Sequence, residues 1–147
     1  MIFTDRDITK TELDAIYADF TKIEVQDGVP QVERVRFNYV VEEDGQVIGF
    51  VSGLTHFRTW FVLTDLWVHE DHRRRGLGSE LLRKMEERVK SDGRKHIYLL
   101  TSGFINPLFY EKHGYHRFSV LEDYHEVKGY HQIGYRKDFD DEHTIGY

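Results

Sequence analysis

Three groups of residues combine the types and spacings that chemistry requires. The first is Arg73-Arg74-Arg75-Gly76-Leu77-Gly78-Ser79, where three cations precede two glycines and a hydroxyl. A helix that begins in such a run leaves its first N–H groups unpaired and carries partial positive charge at that end. A pyrophosphate accepts those hydrogen bonds if the backbone is bare enough to be approached, and Gly76 and Gly78 keep it bare. Ser79 adds a hydroxyl donor. The second group is Asn106 and Tyr110, four apart and therefore stacked on one face of a helix. An amide and a phenol so placed can address one ligand, and the phenol can protonate a departing group. The third is Asp65, whose carboxylate can bind a cationic amine or take its proton through a water. Glu42, or a water alone, is the alternative base. Each group also has a plainer reading: a solvated basic turn, a core aromatic pair at Phe109-Tyr110, and a polar residue at a strand bulge.

Other chemistries fail on spacing. No Gly-x-x-x-x-Gly-Lys-Ser/Thr run is present, and Leu81 stands where a Gly-x-Gly-x-x-Gly dinucleotide fingerprint needs its third glycine. Cysteine is absent, which excludes disulfides, thiolate metal sites and a cysteine nucleophile. The nine histidines (56, 69, 72, 96, 113, 116, 125, 131 and 143) are scattered, without a carboxylate ligand at helical spacing, so no metal is expected.

These groups must be positioned by regular elements. Leu13, Ile16, Tyr17 and Phe20 recur at helical spacing and predict a helix over 11–20 started by Thr9 or Thr11, with a loop at Asp27-Gly28-Val29-Pro30 and a further short helix before Arg36. Strands are expected at 37–41 and 46–54 around the hairpin turn Asp44-Gly45, and at 60–68. A helix from about 76 to 89 buries Leu77, Leu81, Leu82, Met85 and Val89, turns Arg83, Lys84, Glu86 and Glu87 to water, and ends at Gly93. A strand at 96–101, buried on both sides, follows. The order strand–helix–strand implies a parallel pair. A short helix at 106–113, strands near 115–120 and 129–139, and a frayed tail from Asp140 complete the chain. The fold class is α+β, or mixed α/β: a mostly antiparallel sheet with one parallel crossover at its centre. Phe57, Trp60, Phe61 and Tyr130 are candidates either for a partly apolar acceptor pocket or for core packing.

A chain of 147 residues with 39% hydrophobic, 14% aromatic and 31% charged residues reads as one globular domain, residues 1–147. No apolar run reaches the roughly 20 residues of a membrane span, and the first residues lack the order of a secretory signal. The expected setting is therefore cytoplasmic, without a membrane partner. A net charge of −6 argues against nucleic acid as a partner.

The segment Leu66-Trp67-Val68-His69-Glu70-Asp71-His72-Arg73-Arg74-Arg75-Gly76-Leu77-Gly78-Ser79-Glu80-Leu81-Leu82 resembles the signature of the GNAT acetyltransferase superfamily, and Asn106-Pro107-Leu108-Phe109-Tyr110-Glu111-Lys112-His113-Gly114-Tyr115 resembles its second motif. The pattern covers about residues 37–139 and suggests a small single-domain member of bacterial type with a three-layer fold. The resemblance implies acetyl-CoA as co-substrate, its pyrophosphate on residues 73–79 and its pantetheine on the main chain of Trp67 and Val68. It also implies Asn106 as a ligand contact and Tyr110 as the acid for the thiolate; Asp65, the carboxylate nearest that site on its strand and on one face with Trp67, is the candidate base. The expected reaction moves acetyl to a primary amine of a small molecule by direct attack in a ternary complex. Alternatives are a non-catalytic coenzyme A-binding regulatory module and acetylation of a protein N-terminus or lysine. A homodimer is a further expectation by analogy. Tyr130 and His131 are expected at the substrate mouth, where a related subgroup has Pro-Pro-Gly-His and this chain has Val127-Lys128-Gly129-Tyr130.

Overall fold

The structure, a computed structural model, describes residues 1–139; the tail expected from Asp140 lies outside them. The chain divides into two compact units, Met1–Val32 and Glu33 onward.

The first unit contains α1 (Lys10–Gln26). Thr9 accepts from the Glu12 N–H while the Glu12 side chain accepts from the Thr9 N–H, a reciprocal cap that fixes the start. The helix runs six residues past the expected end. It stops where Gly28 takes φ +83° and the N–H groups of Gly28 and Val29 return to Val25 and Glu24. No helix forms in residues 29–35. Pro30 restricts its neighbour to extended backbone, and Val35 exchanges hydrogen bonds with Thr55 instead.

The second unit is built on six strands: β1 (Arg36–Glu43), β2 (Gln46–His56), β3 (Trp60–Val68), β4 (His96–Gly103), β5 (His116–Leu121) and β6 (His131–Asp138), in the order β1-β2-β3-β4-β6-β5. β3 and β4 are parallel, joined through α2 (Leu77–Ser91); every other neighbouring pair is antiparallel. Asp44 and Gly45 both take positive φ in the two-residue hairpin turn, as its geometry requires. The short α3 (Asn106–Lys112) starts with Pro107 in its first turn and closes at Gly114, φ +85°.

α2 and α3 (Asn106–Lys112) cover one face of this sheet. The buried cluster joins Phe37, Val51, Phe61, Leu63, Ile97, Leu99, Ile133 and Tyr135 of the strands to Leu81, Leu82, Met85 and Val89 of α2 and to Tyr110 and Tyr115. β4 is buried on that face only, not on both: Ile97 and Leu99 are buried, whereas Leu100 is 58% exposed.

Glu86 departs from its expected place in water. It is buried on α2 and binds Lys137 of β6 at 2.7 and 3.1 Å, while Lys137 also donates to the His113 carbonyl at 2.8 Å. One ammonium thus ties α2, β6 and the end of α3 together, and removing its counter-charge strands a largely buried cation. Glu86→Ala should destabilise the fold by about 2–3 kcal/mol. Replacing Glu86 and Lys137 together by Met should cost less than the sum of the single changes, as read from urea denaturation midpoints.

Candidate active site

The parallel pair defines the site by how little of it pairs. β3 and β4 are in register only at Trp60↔His96, Phe61↔Ile97 and Val62↔Tyr98. Beyond Val62, β3 continues along β2 to Val68, and β4 continues along β6 to Gly103. The two strands therefore part, and the backbone groups on their facing edges have no strand partner. At the point of parting, Thr64 is an extra residue in β3: Ser52 pairs with Asp65, but Gly53 pairs with Leu63. Such a bulge bends a strand and re-aims the side chains beyond it.

A cleft of about 840 Å³ opens there. Its lining includes Asp65, Trp67, Val68, Arg73, Arg74, Gly76, Leu77, Gly78, Ser79, Asn106 and Tyr110. Of Asp65, the β3 main-chain residues, the 73–79 loop, Asn106 and Tyr110, all line this one cavity except Arg75. Glu42, the alternative base, lies on β1 and does not line the cleft.

The 73–79 loop is shaped for an anion. A 3₁₀ turn at Glu70–His72, capped by His69, leads into it. Arg74 and Gly76 take φ +64° and +78°, and successive N–H groups in such alternating backbone form an anion-binding concavity. No side chain caps α2 at Gly76, so its first-turn N–H groups remain available, and a Cβ added at Gly76 would meet nothing within 4 Å. Arg73 donates from Nε to the Val68 carbonyl at 2.9 Å, binding the loop to the end of β3. One of the main-chain groups singled out for ligand pairing thus has a partner inside the protein. Ser79 Oγ lies 2.9 Å from His113 Nε2, a contact between α2 and the end of α3 that a scattered-histidine reading could not find.

The opening is lined from both faces. Tyr110 is 8% exposed on the helix-covered face, packed against Phe109, Tyr115 and Tyr135, and its hydroxyl has no hydrogen-bond partner among the described residues. Burial pushes its phenol up to about 12. Burial, with the nearby Glu86 charge and Tyr110, raises Tyr115 further still. Asp65 pairs across from Ser52 and shares its face with Trp67, on the opposite side of the sheet. Its Oδ2 accepts from the Thr64 hydroxyl at 2.8 Å. Asn106 donates to the Ser102 carbonyl at 3.3 Å, which holds it at the mouth.

The expected aromatic pocket does not form. Phe61 is fully buried in the core, Trp60 stacks on His96, Phe57 stacks on His56, and none lines the cleft. Tyr130 and His131 are also absent from the lining: Tyr130 packs on Phe104 and His125, and His131 Nδ1 accepts from the Asp123 N–H at 3.0 Å. Their loop reaches the cleft instead through His125, 2.8 Å from Ser102 Oγ. Among the described residues no group of three or more His, Cys, Asp or Glu could hold a metal ion, and no helix is long and apolar enough to cross a membrane.

Comparison with known proteins gives the family. The family model described as an acetyltransferase (GNAT) domain matches residues 36–117. A solved acetyltransferase from Bacillus cereus is 31% identical, with a TM-score of 0.79 over 92% of this chain and 97% of that one. An aminoglycoside 6′-N-acetyltransferase solved with coenzyme A shares the fold, with a TM-score of 0.60 at 19% identity over 95% and 97% of the two chains. The tRNA(Met) cytidine acetyltransferase TmcA of Aeropyrum pernix is 31% identical over 135 residues, covering 86% of this chain but 18% of that protein. The chain belongs to the GNAT acetyltransferase family and is an acyltransferase.

Because burial favours the neutral phenol, Tyr110 should stay protonated well above the ordinary tyrosine range and ionise only as pH approaches about 12. In a phenolate absorbance titration, the difference between the parent protein and Tyr110→Phe should be small at about pH 10, where an exposed tyrosine is half ionised. A difference band with its midpoint near 10 would contradict the burial.

Proposed function

We propose that this protein transfers acetyl from acetyl-CoA to a primary amine of a small molecule, by direct attack within a ternary complex. The observation that carries the reading is the parted β3 and β4, with the Tyr110 phenol on one side of the opening, the Asp65 carboxylate on the other and an uncapped helix at its end.

The residues fit the co-substrate. The concave 73–79 backbone, the α2 N-terminus, Ser79 and the cationic side chains of Arg73 and Arg74 suit a pyrophosphate. The β3 edge around Trp67 and Val68 has no strand partner, although Arg73 holds the Val68 carbonyl, and such an edge suits an extended amide-bearing arm, which adds to it as another strand would. Acetyl-CoA supplies an activated acyl carbon and a thiolate leaving group.

Asp65 takes a proton from the ammonium, directly or through a water, and frees the nitrogen lone pair. The nitrogen adds to the thioester carbonyl, forming the C–N bond and a tetrahedral oxyanion; its collapse restores the carbonyl and breaks the C–S bond as Tyr110 gives its phenolic proton to the departing sulfur. The nitrogen loses its remaining extra proton to solvent, from which Tyr110 is reprotonated. Burial keeps the phenol in its proton-bearing form at neutral pH, so it can act as a donor to the sulfur and not as a base. A backbone N–H of the β3 edge would stabilise the oxyanion. With no cysteine in the chain, no thiol is available to carry the acyl group, which favours the ternary complex. A cytoplasmic setting belongs to the same reading.

The similarity to a tRNA acetyltransferase brings RNA into view as an acceptor. The match covers 18% of that protein, and a net charge of −6 opposes binding to a polyanion, so a small amine is preferred.

The test is release of free thiol from acetyl-CoA across a panel of small amines, with tRNA as a separate arm. Thiol release with at least one amine is expected. Tyr110→Phe should lower kcat by about 100-fold or more with much less change in the KM for acetyl-CoA. Release with tRNA alone would overturn the small-amine reading, and an unchanged kcat would remove Tyr110 from its role.

A further inference from the structure

On the face of the sheet that carries Asp65, one arginine is held in place without a counter-charge. Arg36 of β1 donates from Nη1 to Ser52 Oγ at 2.8 Å and to Thr64 Oγ1 at 3.2 Å. Ser52 is 1% exposed and passes its own proton to Asn38 Oδ1, so the guanidinium is anchored to a rigid part of the sheet. Its Nε and Nη2 have no protein partner, and no carboxylate lies within ion-pairing distance of it among the described residues. Five other arginines, at 6, 83, 94, 117 and 136, each hold a carboxylate. A planar fork with two free edges is the shape that takes a carboxylate through paired hydrogen bonds.

Asp65 lies one hydroxyl away. Thr64 Oγ1 accepts from Arg36 and sits 2.8 Å from Asp65 Oδ2. That hydroxyl has one proton, and the charged Asp65 oxygen at 2.8 Å is a better acceptor than the Ser52 carbonyl at 3.2 Å. The Thr64 bulge therefore holds a fixed positive and a fixed negative group side by side without letting them pair. Asp65 Oδ1 has no protein donor among the described residues.

We propose that the acceptor is an amino-acid-like zwitterion, its ammonium taken by Asp65 and its carboxylate by Arg36. This rests on the reading of Asp65 as the amine-side carboxylate. An α-amino acid separates its two charges by a single carbon, which matches two protein charges separated by a single hydroxyl. A plain alkylamine would satisfy Asp65 and leave Arg36 unfilled.

The experiment compares free amino acids with their own amides and with the parent amines lacking the carboxylate, followed by thiol release and by calorimetric binding to the protein loaded with coenzyme A. The free acid should have a kcat/KM at least about tenfold above its amide, carried by KM, and should bind correspondingly more tightly. Arg36→Gln should erase the ratio between acid and amide, and Arg36→Lys should restore part of it. If Arg36→Gln does not fold, the acid-to-amide comparison in the parent protein still decides. Equal use of acids and amides, or an Arg36→Gln change that affects both alike, overturns the zwitterion while leaving the acetyltransferase reading standing. No thiol release with any member, together with no calorimetric binding of any acid, overturns both.

Discussion

The site depends on two strands that stop pairing. A parallel neighbour normally satisfies the inner edge of β3, yet after Val62 that edge faces open space while β3 and β4 each continue on their outer sides. Unpaired backbone groups at the centre of a sheet are costly unless water or a ligand pairs with them. The fold therefore presents, between its central strands, a vacancy with the hydrogen-bonding pattern of a strand. The loop that follows β3 is tethered to its end by Arg73 on the Val68 carbonyl, so the anion-shaped backbone of 73–79 stays aligned with the opening.

The same parting gives the cleft two walls of different character. On the helix-covered side, packing among Phe109, Tyr115 and Tyr135 removes Tyr110 from water and holds it neutral. On the other side Thr64 and Asp65 line the cleft, backed by a hydrogen-bonded array of Arg36, Asn38 and Ser52. In the proposed reaction, a donor arm entering through the opening would place its reactive end between the Tyr110 phenol and the Asp65 carboxylate. The ion pair of Glu86 and Lys137 serves the first wall indirectly, because Lys137 also holds the carbonyl that ends α3.

Local signals carried much of this structure. Trp60–Val68 appears with the bounds its β-branched and aromatic run implies, and Asp44-Gly45 makes the turn its residue types demand. The strand–loop–helix order around Gly76 led to the anion loop, and helical spacing put Asn106 and Tyr110 on one cleft wall. What could not be read depends on partners distant in sequence. Alternation counted from Phe61 and Leu63 would turn Asp65 into the core, whereas counting back from Trp67 turns it outward; only the bulge at Thr64 reconciles the two. Glu86 looks like one more charged position on α2 until Lys137, 51 residues later, is seen beside it. Arg36 carries no local signal at all, since its meaning comes from two hydroxyls on neighbouring strands.

The most direct test of the account is amide hydrogen exchange with and without acetyl-CoA. If a ligand arm completes the broken pairing, protection should appear at the β3 edge over residues 66–68 and over residues 76–79, with little change along the β1–β2 pairing. Protection confined to other parts of the chain, or none at saturating acetyl-CoA, would contradict the assignment of the parted strands as the donor site.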